Sequence, residues 1–254
     1  MNSEIKIAVT DFDGTLSPFK ERIPDENIKA IHKWRSAGNK FGIATGRCLD
    51  FIEFDLKNYD ITLDFLICVN GAVVFNKNRE ILHSVTIPID VMKEFIKLPL
   101  VKDSGLPLIV LCERNSYSIR PYPEVPADIV PTLTLEEAAA REDVVQFGIR
   151  FETVEDTVKA IAEIQKDFPM LGGNPNRNYL DINIKPVDKK YGIERLLELM
   201  HWQDNQIFVI GDDINDLPMI KHFKGFTVKN AAPLVRDAAL KIYNSVGEML
   251  IEQI

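Results

Sequence analysis

The chain has 254 residues, 46% of them hydrophobic and 27% charged, with 30 Lys plus Arg against 38 Asp plus Glu and a formal charge of −8. This composition fits one large domain, or a core carrying a smaller second one, and excludes disorder and collagen-like repeats. The acidic balance argues against a general nucleic-acid or membrane-surface binder.

The longest apolar stretch, LPLIVLC from Leu106 to Cys112, falls far short of the roughly 20 residues a membrane span needs. The opening MNSEIKIAVTDFDG has charges where a signal peptide would place its apolar region. Cys48, Cys68 and Cys112 are too few and too scattered for a disulfide framework or a zinc site. The expected compartment is reducing and cytoplasmic.

In chain order, Ile5 to Val9 is a short apolar run that stops at Thr10-Asp11, the pattern of a buried strand. Pro24-Asp25 opens a helix with an apolar stripe of Ile28, Ile31 and Trp34, stopped by Gly38. Phe41 to Ala44 is a second strand, followed by Thr45-Gly46-Arg47 and a helical pattern through Phe51, Ile52 and Leu56. Phe65 to Val69 is a third strand, closed by Asn70-Gly71, with a hairpin expected through Phe75. Strands alternating with helices predict an α/β fold, a Rossmann-like parallel-sheet core covered on both faces.

The middle reads differently. Leu108 to Cys112 and Ser116 to Arg120 are two strand-like runs close in sequence. A proline-dense loop follows, then an alternating strand through Phe147, Ile149 and Phe151 and a helix from about Val154 to Phe168. GGNPNRN at Gly172 to Asn178 reads as a turn. The next strand alternates, with Leu180, Ile182 and Ile184 on one face and Tyr179, Asp181, Asn183 and Lys185 on a wet one. This suits an antiparallel sheet in a separate α+β unit. After Pro186 the first style returns, with a helix from Tyr191 to Met200 and a strand from Ile207 to Ile210 that runs into GDDIND. The predicted organisation is a core formed by residues 1–82 and 187–254, interrupted by an inserted domain at 83–186.

Ligands of open α/β sheets bind outside the carboxyl ends of the strands. Asp11-Phe12-Asp13-Gly14-Thr15, Thr45-Gly46-Arg47 and Gly211 to Asp216 fall there, while Lys189 lies just before a helix. Asp11, Asp13, Asp212 and Asp216 at one sheet edge repel one another unless a cation neutralises them. An all-oxygen donor set of this kind suits magnesium, with Lys189 and Thr45 as partners for a phosphate. Gly14 allows a tight turn that aims backbone N–H groups at the anion. This is a constellation for phosphoryl transfer, in which positioning and electrostatics carry most of the catalysis. In a strand, side chains at i and i+2 share a face, so Asp11 and Asp13 serve one reacting centre if strand geometry persists to Asp13.

DFDGTL at Asp11 to Leu16, TGR at Thr45 to Arg47, Lys189 before Tyr191-Gly192-Ile193, and GDDIND at Gly211 to Asp216 resemble the four motifs of the haloacid dehalogenase superfamily. The insertion between the second and third motifs, Asn70-Gly71-Ala72 and the closing VKNAAPLVRDAA resemble its Cof-type sugar-phosphate phosphatases, in which the inserted α+β unit is a cap. The resemblance implies Asp11 as nucleophile, and Asp13 as the acid that protonates the leaving oxygen and then activates water. It implies Thr45 and Lys189 as phosphoryl ligands, with Gly46 and Arg47 beside them, and Asn215 orienting Lys189 or the phosphate. Magnesium would be held by the Asp11 carboxylate, the Asp13 backbone carbonyl and Asp212, with Asp216 in the first or second metal shell. Asp213 departs from the family's frequent Gly or Asn and has no assigned role.

The expected function is magnesium-dependent hydrolysis of small phosphorylated metabolites, sugar phosphates above all, by a monomer or weak homo-oligomer, with no nucleic-acid or membrane partner. A phosphomutase on the same scaffold and a non-enzymatic phospho-acceptor regulatory module are the alternatives. Among lesser candidates, Arg47 either meets the phosphate or pairs with a carboxylate. Asn70-Gly71 is either a hairpin turn or part of the site rim. Asn174, Asn176 and Arg177, and the wet-face Asp181 and Asn183, either reach substrate hydroxyls or are solvated.

Overall fold

The computed structural model describes residues 5–18, 22–122, 130–176 and 178–254. The chain folds as two compact units. One comprises the residues up to Arg47, Ile52–His83 and Asp188–Ile254, and the other Cys48–Phe51 and Ser84–Val187. No helix among the described residues is long and apolar enough to cross a membrane.

The first unit is built on an eight-stranded sheet. Its strands are β1 (Ile7–Thr10), β2 (Lys40–Ala44), β3 (Phe65–Cys68), β4 (Val73–Asn76), β5 (Ile81–Ser84), β11 (Ile207–Gly211), β12 (Phe226–Val228) and β13 (Ile242–Tyr243), in the order β13-β12-β11-β1-β2-β3-β4-β5. Strands β1, β2, β3, β11, β12 and β13 pair in parallel, while β4 returns antiparallel to β3. The central strands are buried along their length, as expected of strands covered on both faces. After β1 the chain adds strands on one side through β2 and β3, and much later on the other through β11. The carboxyl ends of β1 and β11 therefore flank the point where strand order reverses, the usual place for a ligand.

Helix α1 (Asp25–Ser36) carries acids in its first turn and bases in its last, in accord with the helix dipole. Its buried face is Asn27, Ala30, Ile31 and Trp34, so Asn27 occupies the place expected of Ile28. The reason is polar: Asn27 Oδ1 accepts from Gly247 N at 2.7 Å and its amide donates to Leu16 O at 3.3 Å, which ties α1 to α10 (Val246–Gln253).

The second unit is a five-stranded sheet in the order β7-β6-β8-β10-β9, formed by β6 (Leu108–Cys112), β7 (Ser116–Arg120), β8 (Val144–Arg150), β9 (Leu171–Asn176) and β10 (Tyr179–Ile184). Every pairing in it is antiparallel. Phe95, Phe147, Ile149, Ile164, Leu180 and Ile182 are among its buried core. The GGNPNRN segment differs from expectation, since Leu171–Asn176 form an edge strand and not a turn. An edge tolerates Pro175 because one side of the strand needs no ladder donor. A Cβ at Gly173 would lie 2.4 Å from Ile161 Cδ1, so the glycine lets α6 (Val154–Asp167) pack on the strand. Asn183 also departs from expectation: it is buried, not wet, and its Nδ2 has no partner among the described residues. Arg177 and the side chains of Asn174 and Asn176 lie outside the described residues.

Residues 48–51 belong to this second unit although 45–47 and 52–83 do not. Asp50 explains the grouping by accepting from Ser116 N at 2.7 Å and Ser116 Oγ at 3.0 Å. The Cys48 thiol donates to Cys112 O at 3.2 Å, and burial pushes its pKa upward. It is a packed, inert thiol.

Candidate active site

Asp11 follows β1 directly and is buried; its N–H donates to Ile210 O at 2.9 Å, so it joins the end of β1 to β11. Lys189 is 1% exposed and lies within α7 (Lys189–Met200), as its first residue and not ahead of it. Asp188 caps that helix, accepting from Tyr191 N at 2.7 Å. The cap aims the Lys189 side chain from a rigid helix start. Its Nζ donates to Asp11 Oδ1 and to Asp216 Oδ1, each at 2.5 Å.

Burial opposes the Lys189 ammonium, but Asp11 and Asp216 outweigh it and raise its pKa, so it stays charged. Burial also pushes the Asp11 carboxyl well above the ordinary carboxylate range, with Lys189 pulling it down and Asp216 and Asp212 pushing it further up.

Asp216 is fully engaged. Besides Lys189, its Oδ2 accepts from Asp212 N at 2.9 Å and Asp213 N at 3.0 Å. It braces the loop after β11 and presents Asp212. Asp213 has a local role, accepting from Ile214 N at 2.7 Å to cap the short turn over Ile214–Asp216. Asp212 Oδ1 accepts the Thr15 hydroxyl at 2.5 Å. Burial raises the Asp212 carboxyl to about 6, Thr15 opposing the rise and Asp216 adding to it.

Carboxylate oxygens of Asp11, Asp212 and Asp216 all lie within 4.8 Å of one another. Three anionic oxygen donors beside one ammonium leave excess negative charge in a buried place, and a hard divalent cation suits that donor set. The space is kept open by Gly14. It has φ +86°, and a Cβ there would sit 2.3 Å from Asp212 Oδ2. Its own N–H donates to Ser17 O at 2.9 Å, so Gly14 shapes the turn and does not aim its amide outward.

Strand geometry does not persist to Asp13. β1 ends at Thr10, and Asp13, its side chain 47% exposed, is absent from the carboxylate cluster. Its two oxygens are gripped by Arg47: Nε reaches Oδ2 at 2.7 Å and Nη2 reaches Oδ1 at 2.6 Å. Thr45 is buried after β2, and its hydroxyl accepts from Arg47 N at 3.1 Å.

Gly46 packs against a residue that the sequence left between two readings. A Cβ at Gly46 would lie 3.2 Å from Asn70 Oδ1. Asn70 is buried at φ +50°, its N–H donates to Thr45 O at 3.0 Å, and its Oδ1 accepts from Asn215 Nδ2 at 3.2 Å. Asn215 therefore reaches Asn70, and through it the Thr45-Gly46 segment, where the resemblance had implied Lys189 or the phosphate.

The sequence model of the haloacid dehalogenase-like hydrolases matches residues 8–249. The chain belongs to this family. Over 93% of its length it is 22% identical to the 5-amino-6-(5-phospho-D-ribitylamino)uracil phosphatase YcsE of Bacillus subtilis, of which it covers 88%. It is 25% identical to the phosphoglycolate phosphatase of Metallosphaera sedula, with 96% of each chain covered. The solved structure of the subclass IIB sugar phosphatase BT4131 superposes with TM-score 0.80 at 26% identity, covering 98% of this chain and 96% of the other. That of BT1666 from Bacteroides thetaiotaomicron does so with TM-score 0.80 at 23% identity, covering 98% and 94%.

As a haloacid dehalogenase-like enzyme the protein is a phosphatase, a hydrolase of phosphoric monoesters. Two contributors to its site went unsingled in the sequence. Thr15 was visible only as part of DFDGTL, and Asp188 carried a signal in its place before Lys189-Lys190-Tyr191, that of an N-cap.

Proposed function

We propose that the protein hydrolyses small phosphorylated metabolites, sugar phosphates foremost, through a phosphoaspartate at Asp11 and with magnesium. The observation that carries this reading is the buried Lys189 held at 2.5 Å between Asp11 and Asp216, with Asp212 in the same cluster. Asp11 attacks phosphorus, the bond to the leaving oxygen breaks, and Asp13 delivers its proton to that oxygen. The Asp13 carboxylate then takes a proton from water, which attacks phosphorus, frees Asp11 and yields inorganic phosphate. Lys189 and the Thr45 hydroxyl hold the phosphoryl oxygens, while Asn215 and Asn70 fix the Thr45-Gly46 segment. Asp11, Asp212 and the Asp13 carbonyl would hold magnesium, with Asp216 behind them; bound there, it supplies charge neutralisation to the phosphoryl oxygens. The α+β unit at 84–187 serves as the substrate-selecting cap. The 26% identity with a sugar phosphatase supports the substrate class, and three buried thiols suit a reducing cytoplasm. A monomer or weak homo-oligomer suffices, because every residue invoked comes from one chain.

Phosphate release with magnesium over sugar phosphates, nucleotides and generic esters tests the reading. Release from sugar phosphates is expected, reduced at least about a thousandfold by Asp11→Asn and abolished by chelator. Release from no ester by folded protein, or undiminished release by Asp11→Asn, overturns it.

Metal and proton compete for Asp212. Its folded carboxyl titrates at about 6, against 3.8 for the ordinary group. A raised folded value contributes stability that is full below the unfolded value and is lost as pH rises through the folded one. The metal-free protein should therefore lose this contribution between about pH 4 and 6. Magnesium should raise Tm more at pH 7.5 than at pH 5. An equal rise at both, by thermal denaturation with and without 5–10 mM magnesium (about the excess needed to saturate a weak site), contradicts it.

A further inference from the structure

We infer that Arg47 is the positioning residue of Asp13, acting on the reaction through that carboxylate and not as a ligand of the phosphate; this rests on the acid–base role proposed for Asp13. The guanidinium is committed on three sides. Its Nε and Nη2 hold both oxygens of Asp13 at 2.7 and 2.6 Å, its Nη1 donates to Asp55 Oδ2 on α2 (Leu49–Leu56), and its centre lies 5.2 Å from the Phe12 ring centroid.

The backbone is equally fixed. Arg47 N donates to Thr45 Oγ1 at 3.1 Å and Arg47 O accepts from Val69 N at 3.0 Å. The strand that orders Asp11 has ended before Asp13, whose half-exposed side chain would otherwise rotate freely about two bonds. A planar fork on both carboxylate oxygens removes that rotation, which a single point charge cannot do. Asp55 keeps the fork itself from turning.

The consequence is a leaving-group signature. An alkyl phosphate needs a proton on its departing oxygen, whereas p-nitrophenolate leaves without one. Under single turnover, Arg47→Gln should slow release of an alkyl leaving group about 30-fold and of p-nitrophenolate only about threefold, each less than the roughly 10²–10⁴ that a positioned acid–base group itself supplies. KM and the inhibition constant of inorganic phosphate should stay within about twofold, because no phosphate contact is removed. Arg47→Lys should not restore the alkyl rate, and Asp55→Asn should show the same pattern more weakly.

The deciding comparison is the double variant. Under single turnover with alkyl phosphate and enzyme in excess, Arg47→Gln should have less than about a twofold effect once Asp13 is already Asn. An undiminished effect in the Asp13→Asn background, or a phosphate inhibition constant raised about tenfold, overturns the inference and makes Arg47 a phosphate ligand. Failure of the acid–base reading itself looks different: Asp13→Asn alone then leaves the alkyl phosphate rate intact. A cooperative thermal unfolding transition reports that each variant has folded.

Discussion

Lys189→Met is expected to cost about 3–5 kcal/mol of stability in metal-free protein near neutral pH, because it leaves buried carboxylates without their counter-charge. Methionine matches the length and flexibility of the lysine stem, so the change removes charge and donors while keeping packing volume. The two hydrogen bonds at 2.5 Å end on Asp11 and Asp216, both buried. Asp216 Oδ2 holds the backbone of Asp212 and Asp213, so movement at Asp216 propagates to the loop after β11.

Part of the loss should be recovered by magnesium, which would neutralise the same oxygens, and part by acidification, which protonates Asp11, whose carboxyl burial holds well above the ordinary range. Activity should not recover. Removing one donor aimed at the developing phosphoryl charge costs about 10²–10³ in kcat, and a displaced Asp212 adds to it. Urea denaturation at pH 7.5 and pH 5, with and without metal, reads the stability; single-turnover phosphate release reads the chemistry. A variant as stable as wild type at pH 7.5 without metal would show that Lys189 does not neutralise these carboxylates.

Gly71→Ala is expected to destabilise the protein by about 2–4 kcal/mol, from a left-handed backbone and overpacking together. Gly71 has φ +100°, and a Cβ there would lie 2.0 Å from Asp188 O and 3.1 Å from Gly192 N. Both opposing atoms are backbone, and Asp188 is the cap of the helix that begins with Lys189. No side-chain rotation relieves such a contact, so the hairpin or the helix start must move. The kinetic consequence should resemble a weak Lys189 defect, a loss in kcat of about tenfold or more with little change in KM, since a misplacement near 1 Å can cost 10²-fold. Thermal denaturation and steady-state kinetics check both. Unchanged Tm with unchanged kcat would mean that the helix start is free to shift without moving Lys189.

These expectations draw unequally on sequence and structure. Buried runs such as IAV and FLIC announce parallel strands because burial on both faces leaves no room for polar alternation. The second unit was legible in the alternation of Tyr179 to Ile184, though not at Gly172 to Asn176. Glycine, asparagine and proline mark a turn by local preference, and only neighbouring β10 and α6 make that segment an edge strand. Asn27 was hidden for a related reason: a buried asparagine is a matter of its partners, and those, Leu16 and Gly247, lie 11 and 220 residues away.

At the site, residue chemistry and order were readable in one dimension. Acids placed after β1 and β11, a threonine after β2 and a lysine at a helix start needed no coordinates to be read as a phosphoryl-transfer set, because strand ends converge where sheet order reverses. Residue types and their order were enough to list the available groups. What each one does follows from the folded neighbourhood: Asp216 spends both oxygens on Lys189 and the loop, Asp213 caps a turn, Asn215 reaches Asn70, and Asp13 rests in the fork of Arg47. Hydrogen bonds are directional and limited in number, so a side chain's role depends on which partners arrive first within about 3 Å, and in this site those partners stand up to 197 residues away in the chain.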